Sequence, residues 1–186
     1  MKFLITGLGN IGAEYELTRH NAGFLVVDRL ADKFDVVLKH ERYAQKGLLK
    51  YKGRQIHLIK PATFMNLSGK AVHYWVQSLK ISIENLLIVT DDIALPPGKL
   101  RMRAKGSDAG HNGIKHVAEV LGTNQYARLR VGIGNDFPRG RQVEYVLGRM
   151  QEEELKILEQ ALDKACDMIL GFCTSGIART MTQFND

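Results

Sequence analysis

Apolar residues along the chain form short alternating or continuous runs and longer patterns with helical spacing. The short runs predict strands near residues 2–6, 46–51, 55–60, 86–90, 99–103 and 128–134. Apolar residues that recur every three or four positions predict helices near 21–34, 66–80, 112–121 and 151–172. Because strands and helices interleave, we expect an α/β fold in which a twisted sheet carries helices on both faces. The two adjacent strands between 46 and 60 are typical of a hairpin, so the sheet should be mixed.

The chain has the size and composition of one globular unit. Its 186 residues suit a single domain spanning 1–186, and we find no repeat or linker that would divide it. No apolar run approaches the roughly 18 residues of a membrane helix. The apolar start is interrupted at Gly7 and Gly9, too early for a secretory signal, so we expect a cytoplasmic protein. Cys166 and Cys173 lie seven positions apart on a predicted helix, a spacing that does not favour a disulfide.

The positive charge is concentrated between residues 96 and 130. The net charge of the chain is +6, and this segment holds seven basic residues against Asp108 and Glu119. The basic residues are Lys99, Arg101, Arg103, Lys105, Lys115, Arg128 and Arg130. Within the two predicted strands they alternate with apolar residues, which puts the charges of each strand on one face. Side by side, the two strands would form a phosphate-binding surface, whereas apart they would be ordinary solvated faces.

Residues 7–12, Gly-Leu-Gly-Asn-Ile-Gly, match the GxGxxG pattern of dinucleotide-binding folds. Such a site needs a helix that begins within the glycines and an acidic residue at the end of the next strand. Here the helical pattern begins only near Asn21, and Asp28 and Asp32 fall inside it. The sequence therefore argues against a nucleotide cofactor. A dinucleotide-dependent oxidoreductase is kept as an alternative that saturable NAD(P)H binding would reveal.

Polar residues that suit catalysis follow several predicted strands. Asn10, Asn66 and Asp91 come just after strands, His20 ends the loop that Asn10 begins, and Asn112 begins the third helix. Open α/β sheets bind ligands at that edge. Taken singly these residues have ordinary roles, such as helix capping for Asn112. Together they suggest ester hydrolysis: an imidazole takes a proton from water, a carboxylate orients it, and amides stabilise an oxyanion.

The sequence offers no convincing nucleophile or metal site for that reaction. Ser68 is not in a GxSxG elbow, and the cysteines lie far from the polar residues in sequence. No cluster of His, Cys and acidic residues has zinc-ligand spacing. Direct attack by water, without a metal or cofactor, is the chemistry that this residue set favours.

Five blocks of the sequence resemble bacterial peptidyl-tRNA hydrolases. They are GLGNIGAEYELTRHNAGF (7–24), PATFMNLSGKAV (61–72), DDIALPPGKLR (91–101), GHNGIK (110–115) and RLRVGIG (128–134). The resemblance covers nearly the whole chain. It implies one mixed sheet wrapped by helices, a peptidyl-tRNA substrate, no metal or cofactor, no membrane, and a monomer.

The resemblance also implies roles for individual residues. His20 would be the general base, Asp91 its orienting partner, and Asn10 would complete the catalytic set. If His20 is not the base, His111 is the next candidate. Five residues would bind the substrate: Tyr15, Phe64, Met65, Asn66 and Asn112. Arg103 and Arg130 fall where the family contacts tRNA phosphates. We expect four other basic residues of that segment to join them, namely Lys99, Arg101, Lys105 and Arg128.

Three departures from the family pattern leave the main candidates intact. Ile11 replaces a usual proline, Ala94 replaces a frequent second acid, and residues 105–109 are poorer in glycine than the usual loop. A non-catalytic RNA-binding relative with the same fold is the other alternative, and the complete set of candidate residues argues against it.

Overall fold

The computed structural model describes residues 1–186, which form seven strands and six α-helices. The strands are β1 (Lys2–Gly7), β2 (Lys39–Glu41), β3 (Ala44–Tyr51), β4 (Arg54–Pro61), β5 (Leu86–Asp92), β6 (Leu100–Arg103) and β7 (Ala127–Gly132). The helices are α1 (Ala22–Lys33), α2 (Ser68–Leu79), α3 (Asn112–Leu121), α4 (Gln142–Val146), α5 (Glu152–Ser175) and α6 (Ile177–Phe184). Short 3-10 turns cover Ala13–Tyr15, Arg19–Asn21, Met65–Leu67 and Ile83–Asn85.

All seven strands join one mixed sheet in the order β2-β3-β4-β1-β5-β7-β6. β4, β1, β5 and β7 run parallel, while β2 and β3 at one edge and β6 at the other are antiparallel to their neighbours. The predicted hairpin is β3–β4, closed by Lys52 and Gly53, which both have positive φ angles as a tight two-residue turn requires. The predicted mixed α/β sheet is confirmed.

The sheet separates two apolar clusters, which places helices on both faces as expected. The larger cluster holds 28 buried residues between the sheet and helices that include α1 and α5. The smaller holds 14 and packs α2 and α3 against the other face. On α5, Leu158, Leu162 and Ile169 step along one side and are buried. Each such side chain contributes roughly 1.5–3 kcal/mol when fully buried, so this stripe fixes the helix on the sheet.

The glycine motif packs the chain and does not begin a helix. A Cβ added at Gly7 would lie 2.3 Å from the carbonyl oxygen of Gly23, and one at Gly9 would lie 2.7 Å from the Phe24 ring. The glycines therefore let α1 approach the end of β1 closely. α1 begins at Ala22, close to its predicted start, so no α-helix begins within residues 7–12 as a dinucleotide fingerprint would require.

Three elements were not predicted, and most of the predicted boundaries differ from the observed ones by one to three residues. β2 has only exposed residues, so it has no apolar pattern and is defined by pairing with β3. α4 has five residues, too few for a helical period. α5 continues to Ser175, three residues past the predicted end, and β7 stops at Gly132. α6 follows Gly176, whose φ of 87° ends α5 and lets the chain turn before α6 begins.

The carboxyl-terminal segment covers the edge of the sheet at β6. The Asn185 side chain accepts a hydrogen bond from the Met102 amide at 2.9 Å and donates one to the Met102 carbonyl at 2.9 Å. The Asn185 side-chain amide therefore provides the hydrogen bonds that a neighbouring strand would otherwise make to Met102 at this sheet edge. Both cysteines are free thiols buried in α5. None of the helices is long and apolar enough to span a bilayer.

Candidate active site

A cavity of about 650 Å³ opens at the carboxyl ends of the parallel strands. The structure brings most of the candidate residues into its lining: Asn10, His20, Met65, Asn66, Asp91 and Asn112, with Arg103, Lys105, Arg128 and Arg130. Asn10, Met65 and Asn66 follow β1 and β4, and Asp91 lies near the end of β5. His20 lies in the 3-10 turn Arg19–Asn21, and Asn112 begins α3. The basic residues come from β7, from the end of β6 and from just after it. Parallel strands deliver their carboxyl ends to one edge, which is why residues far apart in sequence meet there.

His20 is joined to Asp91 at the centre of the cavity. The Nδ1 atom of His20 lies 2.8 Å from Oδ2 of Asp91. Asp91 is 3% exposed and lies at the end of β5, whereas His20 is half-buried. A carboxylate at Nδ1 holds the proton on that nitrogen and leaves Nε2 with its lone pair. The pair can therefore present a basic nitrogen to the cavity.

His111 holds the second oxygen of the same carboxylate. Its Nε2 atom lies 2.8 Å from Oδ1 of Asp91, and its Nδ1 atom accepts the backbone N–H groups of Gly113 and Ile114 at 3.1 and 3.2 Å. His111 thus caps α3 while it donates to Asp91. Both of its ring nitrogens are engaged, so it is not available as a base. Asn112, a possible cap from the sequence, is the first helical residue instead.

Charges in this triad favour an ionised Asp91. Burial alone would raise the pKa of Asp91, but the adjacent His111 and His20 outweigh it and hold that pKa below its usual range. Burial lowers the pKa of His111, but the Asp91 and Asp92 carboxylates together with its hydrogen bonds raise that pKa above its ordinary value. A carboxylate that stays ionised stabilises any positive charge that forms on a neighbouring imidazole.

Asn10 is held by three hydrogen bonds, none of which uses its side-chain NH₂ group. Its side-chain oxygen accepts the backbone N–H of Met65 at 2.7 Å. The side chain of Asn21 accepts a hydrogen bond from the backbone N–H of Asn10 at 2.8 Å and donates one to the backbone carbonyl of Asn10 at 2.9 Å. Asn10 and Asn21 are 6% and 1% exposed. This arrangement presents the Asn10 NH₂ group as a donor at the cavity wall.

The remaining candidate binding residues surround this centre. Asn66 and Asn112 are exposed at the cavity edge, where α2 and α3 begin. Met65 is buried beneath Asn66. Tyr15 and Phe64 form an edge-to-face pair with ring centres 6.4 Å apart, and Phe64 is 55% exposed. That pair does not line the main cavity, contrary to the expectation that both residues line the site.

The two basic strands lie side by side, which is the arrangement that a shared phosphate-binding surface needs. β6 pairs antiparallel with β7, with Arg101 opposite Arg130 and Arg103 opposite Arg128. Opposed like charges destabilise a strand pair unless other groups compensate them. Arg130 is compensated by a hydrogen-bonded ion pair with Asp92. Burial and the charges of Arg101 and Arg130 lower the pKa of Arg103, which indicates a local excess of positive charge.

Three of the basic residues are occupied by other parts of the chain. Arg128 is 3% exposed, donates to the carbonyls of Asn124, Tyr126 and Ser107, and stacks on the Tyr126 ring. Lys99 pairs with the Asp186 carboxylate at 2.9 Å, and Arg101 donates to the Asp186 carbonyl. Neither of these two lines the cavity. Arg103 and Lys105 therefore line the cavity without an ion-pair partner in the protein, and Arg130 lines it while it is paired with Asp92.

No reactive thiol lies at the site, and the Thr90 hydroxyl, which lies 3.0 Å from His111 Nε2, donates to the backbone carbonyl of Asp91 at 3.2 Å. Burial raises the pKa of Cys166 to about 11 and that of Cys173 to about 12, and both thiols lie in the α5 core. Ser68 is buried and donates its hydroxyl to the Met65 carbonyl at 2.7 Å.

The ligand atoms of His20, Asp91 and His111 lie within 4.8 Å of one another. A metal there would have to displace the hydrogen bonds that join both histidines to Asp91.

Three positioning residues were not predicted from the sequence. They are His111, Asn21 and Arg19, each adjacent to a predicted site residue. Arg19 makes a two-point ion pair with Glu154 at 2.7 and 2.8 Å and donates to the Tyr145 carbonyl at 2.9 Å. Their proximity to His20 and Asn112 within the quoted blocks was the only available signal, because their partners are distant in sequence.

Comparisons with known proteins agree on one family. The family model described as peptidyl-tRNA hydrolase matches residues 4–186. A peptidyl-tRNA hydrolase of Phocaeicola vulgatus is 58% identical over 185 residues, covering 100% of this chain and 99% of the relative, and that of Bacteroides fragilis is 56% identical with the same coverage. The crystal structure of peptidyl-tRNA hydrolase from Acinetobacter baumannii superposes with a TM-score of 0.93 at 34% identity, over 98% of this chain and 94% of that one.

Proposed function

This chain belongs to the peptidyl-tRNA hydrolase family, and from that premise we propose how its residues cleave the ester between a peptide and the terminal ribose of tRNA. The hydrolase activity follows from the family. The mechanism proposed is direct attack of water, activated by His20, without a covalent intermediate and without a metal. The observation that carries it is the 2.8 Å contact between His20 Nδ1 and the buried Asp91 carboxylate.

His20 acts as the general base. With its Nδ1 proton held by Asp91, Nε2 accepts a proton from a water molecule as the water oxygen attacks the ester carbonyl. The imidazolium that forms is stabilised by the ionised carboxylate. When the tetrahedral intermediate collapses, the bond to the ribose oxygen breaks and the proton returns to that oxygen. Free peptide and free tRNA are the products.

The asparagines hold the reacting ester. The free NH₂ group of Asn10 is a donor that the developing oxyanion can accept, and such preorganised donors contribute roughly 100- to 1,000-fold to the rate. Asn66 and Asn112 bind the peptide amides from the two helix starts. Met65 lies beneath the scissile bond, and Tyr15 and Phe64 contact the peptide beside the centre. The absence of an activated serine or a reactive thiol supports water as the nucleophile.

The cations that face the cavity bind the tRNA backbone. We assign that role first to Arg103, Lys105 and Arg130, which line the cavity. Lys99 and Arg101 contribute once Asp186 moves away, and Arg128 supports the surface from beneath. Phosphate contacts carry little sequence information, which suits an enzyme that serves many tRNAs. A cytoplasmic monomer completes the proposal, and light scattering of the purified chain would test its association state.

The test is release of the acyl group from purified N-acyl-aminoacyl-tRNA by the wild-type chain and by His20→Ala, with circular dichroism of both. We expect the folded variant to lose nearly all activity. His73→Ala, on the exposed side of α2, is the matched control and should cleave normally. Cleavage that persists in folded His20→Ala would assign the base to another group. Binding without cleavage by the wild type would instead favour the RNA-binding alternative.

A further inference from the structure

The first turn of α2 receives its cap from another helix. The first N–H groups of a helix have no partner within it and need an outside acceptor. Leu67, at the N-cap position of α2, provides no side-chain hydrogen bond. The backbone N–H of Gly69 donates instead to Nδ1 of His116 on α3, at 2.9 Å.

This contact depends on a close approach of the two helices. A Cβ added at Gly69 would lie 2.7 Å from the His116 carbonyl oxygen and 2.8 Å from His116 Nδ1. Glycine inside a helix costs about 0.5–1 kcal/mol relative to alanine. The glycine here gives α2 the space to bring its N–H within hydrogen-bonding distance of α3.

A second contact lies one turn away on α3. A Cβ added at Gly113 would lie 2.5 Å from the Met65 sulfur, so Met65 packs directly on the start of α3. Ser68 donates to the Met65 carbonyl and ties the turn before α2 to its first residue. Asn66 lies in that turn, between Met65 and the first turn of α2, while Asn112 begins α3. The spacing between the two asparagines is thus set by how the first turn of α2 sits on α3.

We propose that His116 is a positioning residue that sets Asn66 against Asn112 for substrate binding. This inference rests on the proposed function of those two asparagines. His116 does not itself line the cavity, and it acts through its hydrogen bond to Gly69. Without an acceptor at that place, the turn that carries Asn66 loses a fixed point, and the peptide is held less well.

Two substitutions separate this role from a simple contribution to stability. His116→Asn places an amide oxygen near the position of Nδ1, whereas His116→Gln carries its amide about where Nε2 lies. Glutamine has the higher helix propensity, so stability alone favours His116→Gln. The proposal makes the opposite prediction for catalysis. We expect KM for N-acyl-aminoacyl-tRNA to stay within about 2-fold of wild type in His116→Asn and to rise roughly 5- to 10-fold in His116→Gln, the effect of one neutral hydrogen bond.

Amide hydrogen exchange gives a readout independent of activity. The Gly69 N–H should remain protected in His116→Asn and exchange faster in His116→Gln. The Asn66→Ala background completes a double-mutant cycle, in which His116→Gln should raise KM no further. Equal KM in the two His116 variants, or a further rise in the Asn66→Ala background, would overturn the proposal. An Asn66→Ala variant with wild-type KM would instead count against the proposed function, and His20→Ala tests that function separately.

Discussion

Asp91 and His111 are joined by a 2.8 Å hydrogen bond between Oδ1 and Nε2, so the carboxylate that meets His20 is held at both oxygens. The backbone amides of α3 hold the other side of the His111 ring. His111 therefore aligns Asp91 from the start of a helix, and Asp91 aligns His20. The position of the proposed base depends on a chain of contacts that ends in α3.

The first prediction removes His111 from this chain of contacts. His111→Asn keeps a good helix cap but is too short to reach Asp91 as the imidazole does. We expect kcat to fall roughly 10- to 100-fold with little change in KM, since a hydrogen bond to a charged group contributes about 1.5–3 kcal/mol. Steady-state kinetics at neutral pH measure this, with His73→Asn as the control. An unchanged kcat in a folded variant would mean that Asp91 needs no support from His111.

The second prediction separates the basic residues by their surroundings. Arg103→Gln and Lys105→Gln should raise KM and lower the slope of log affinity against log salt by about 0.7–0.9 for each lost phosphate contact. Arg128→Gln should chiefly reduce stability, because its guanidinium is buried against three carbonyls. Filter binding of tRNA across a salt series, with thermal unfolding of each variant, distinguishes the two effects. A salt slope that did not change in Arg103→Gln would remove that residue from the interface.

The third prediction concerns acid stability and His57 in β4. His57 is 5% exposed and neither ring nitrogen has a partner. Burial, with the charges of Lys46 and Lys2, lowers its pKa to about 4. The unfolded chain binds this proton near pH 6.5 while the folded chain does not. Stability is therefore lost as the pH falls from about 6.5 to 4, by about 3 kcal/mol.

The His57 effect can be measured by urea unfolding at several pH values. His57→Leu should unfold with a shallower pH dependence across that window. The exposed His73→Leu should leave the dependence unchanged. If His57→Leu keeps the wild-type slope, another group is responsible for it.

The fourth prediction tests the anchor beside the proposed base. Arg19 precedes His20 and is held by Glu154 of α5, with its guanidinium 4.1 Å from the centre of the Tyr145 ring. Glu154→Gln should lower stability by about 1–2 kcal/mol and reduce kcat several-fold, because the His20 loop loses a fixed point. The hydrogen bond from Arg19 lowers the pKa of Glu154, so this stability is present above about pH 4.5 and is lost as the pH falls. Glu153→Gln, exposed on the same helix turn, is the control.

The sequence predicted the sheet, its mixed character and the four long helices because their apolar periods are clear. β2 was not predicted because it has no buried residue. α6 was not predicted because it has only eight residues, although Ile177, Met181 and Phe184 recur at helical spacing. Site residues were predictable where a polar residue follows a strand, as with Asn10 and Asp91. His111 and Asn21 were not, because their role lies in hydrogen bonds whose partners only the fold brings near. The alternation of basic and apolar residues in β7 predicted which face of the strand carries Arg128. It did not predict that backbone carbonyls would surround the guanidinium.

The residues that contact one another in the site are far apart in the sequence. His20 and Asp91 are separated by 71 positions, and Asn10 and Met65 by 55. Contacts between residues so far apart form late in folding, because closing a long loop lowers the chain entropy before the contacts can stabilise it. A partly folded chain would therefore be inactive even where its helices have formed. Recovery of peptidyl-tRNA cleavage during refolding should follow the formation of the complete parallel sheet, and activity can serve as a kinetic probe of native topology.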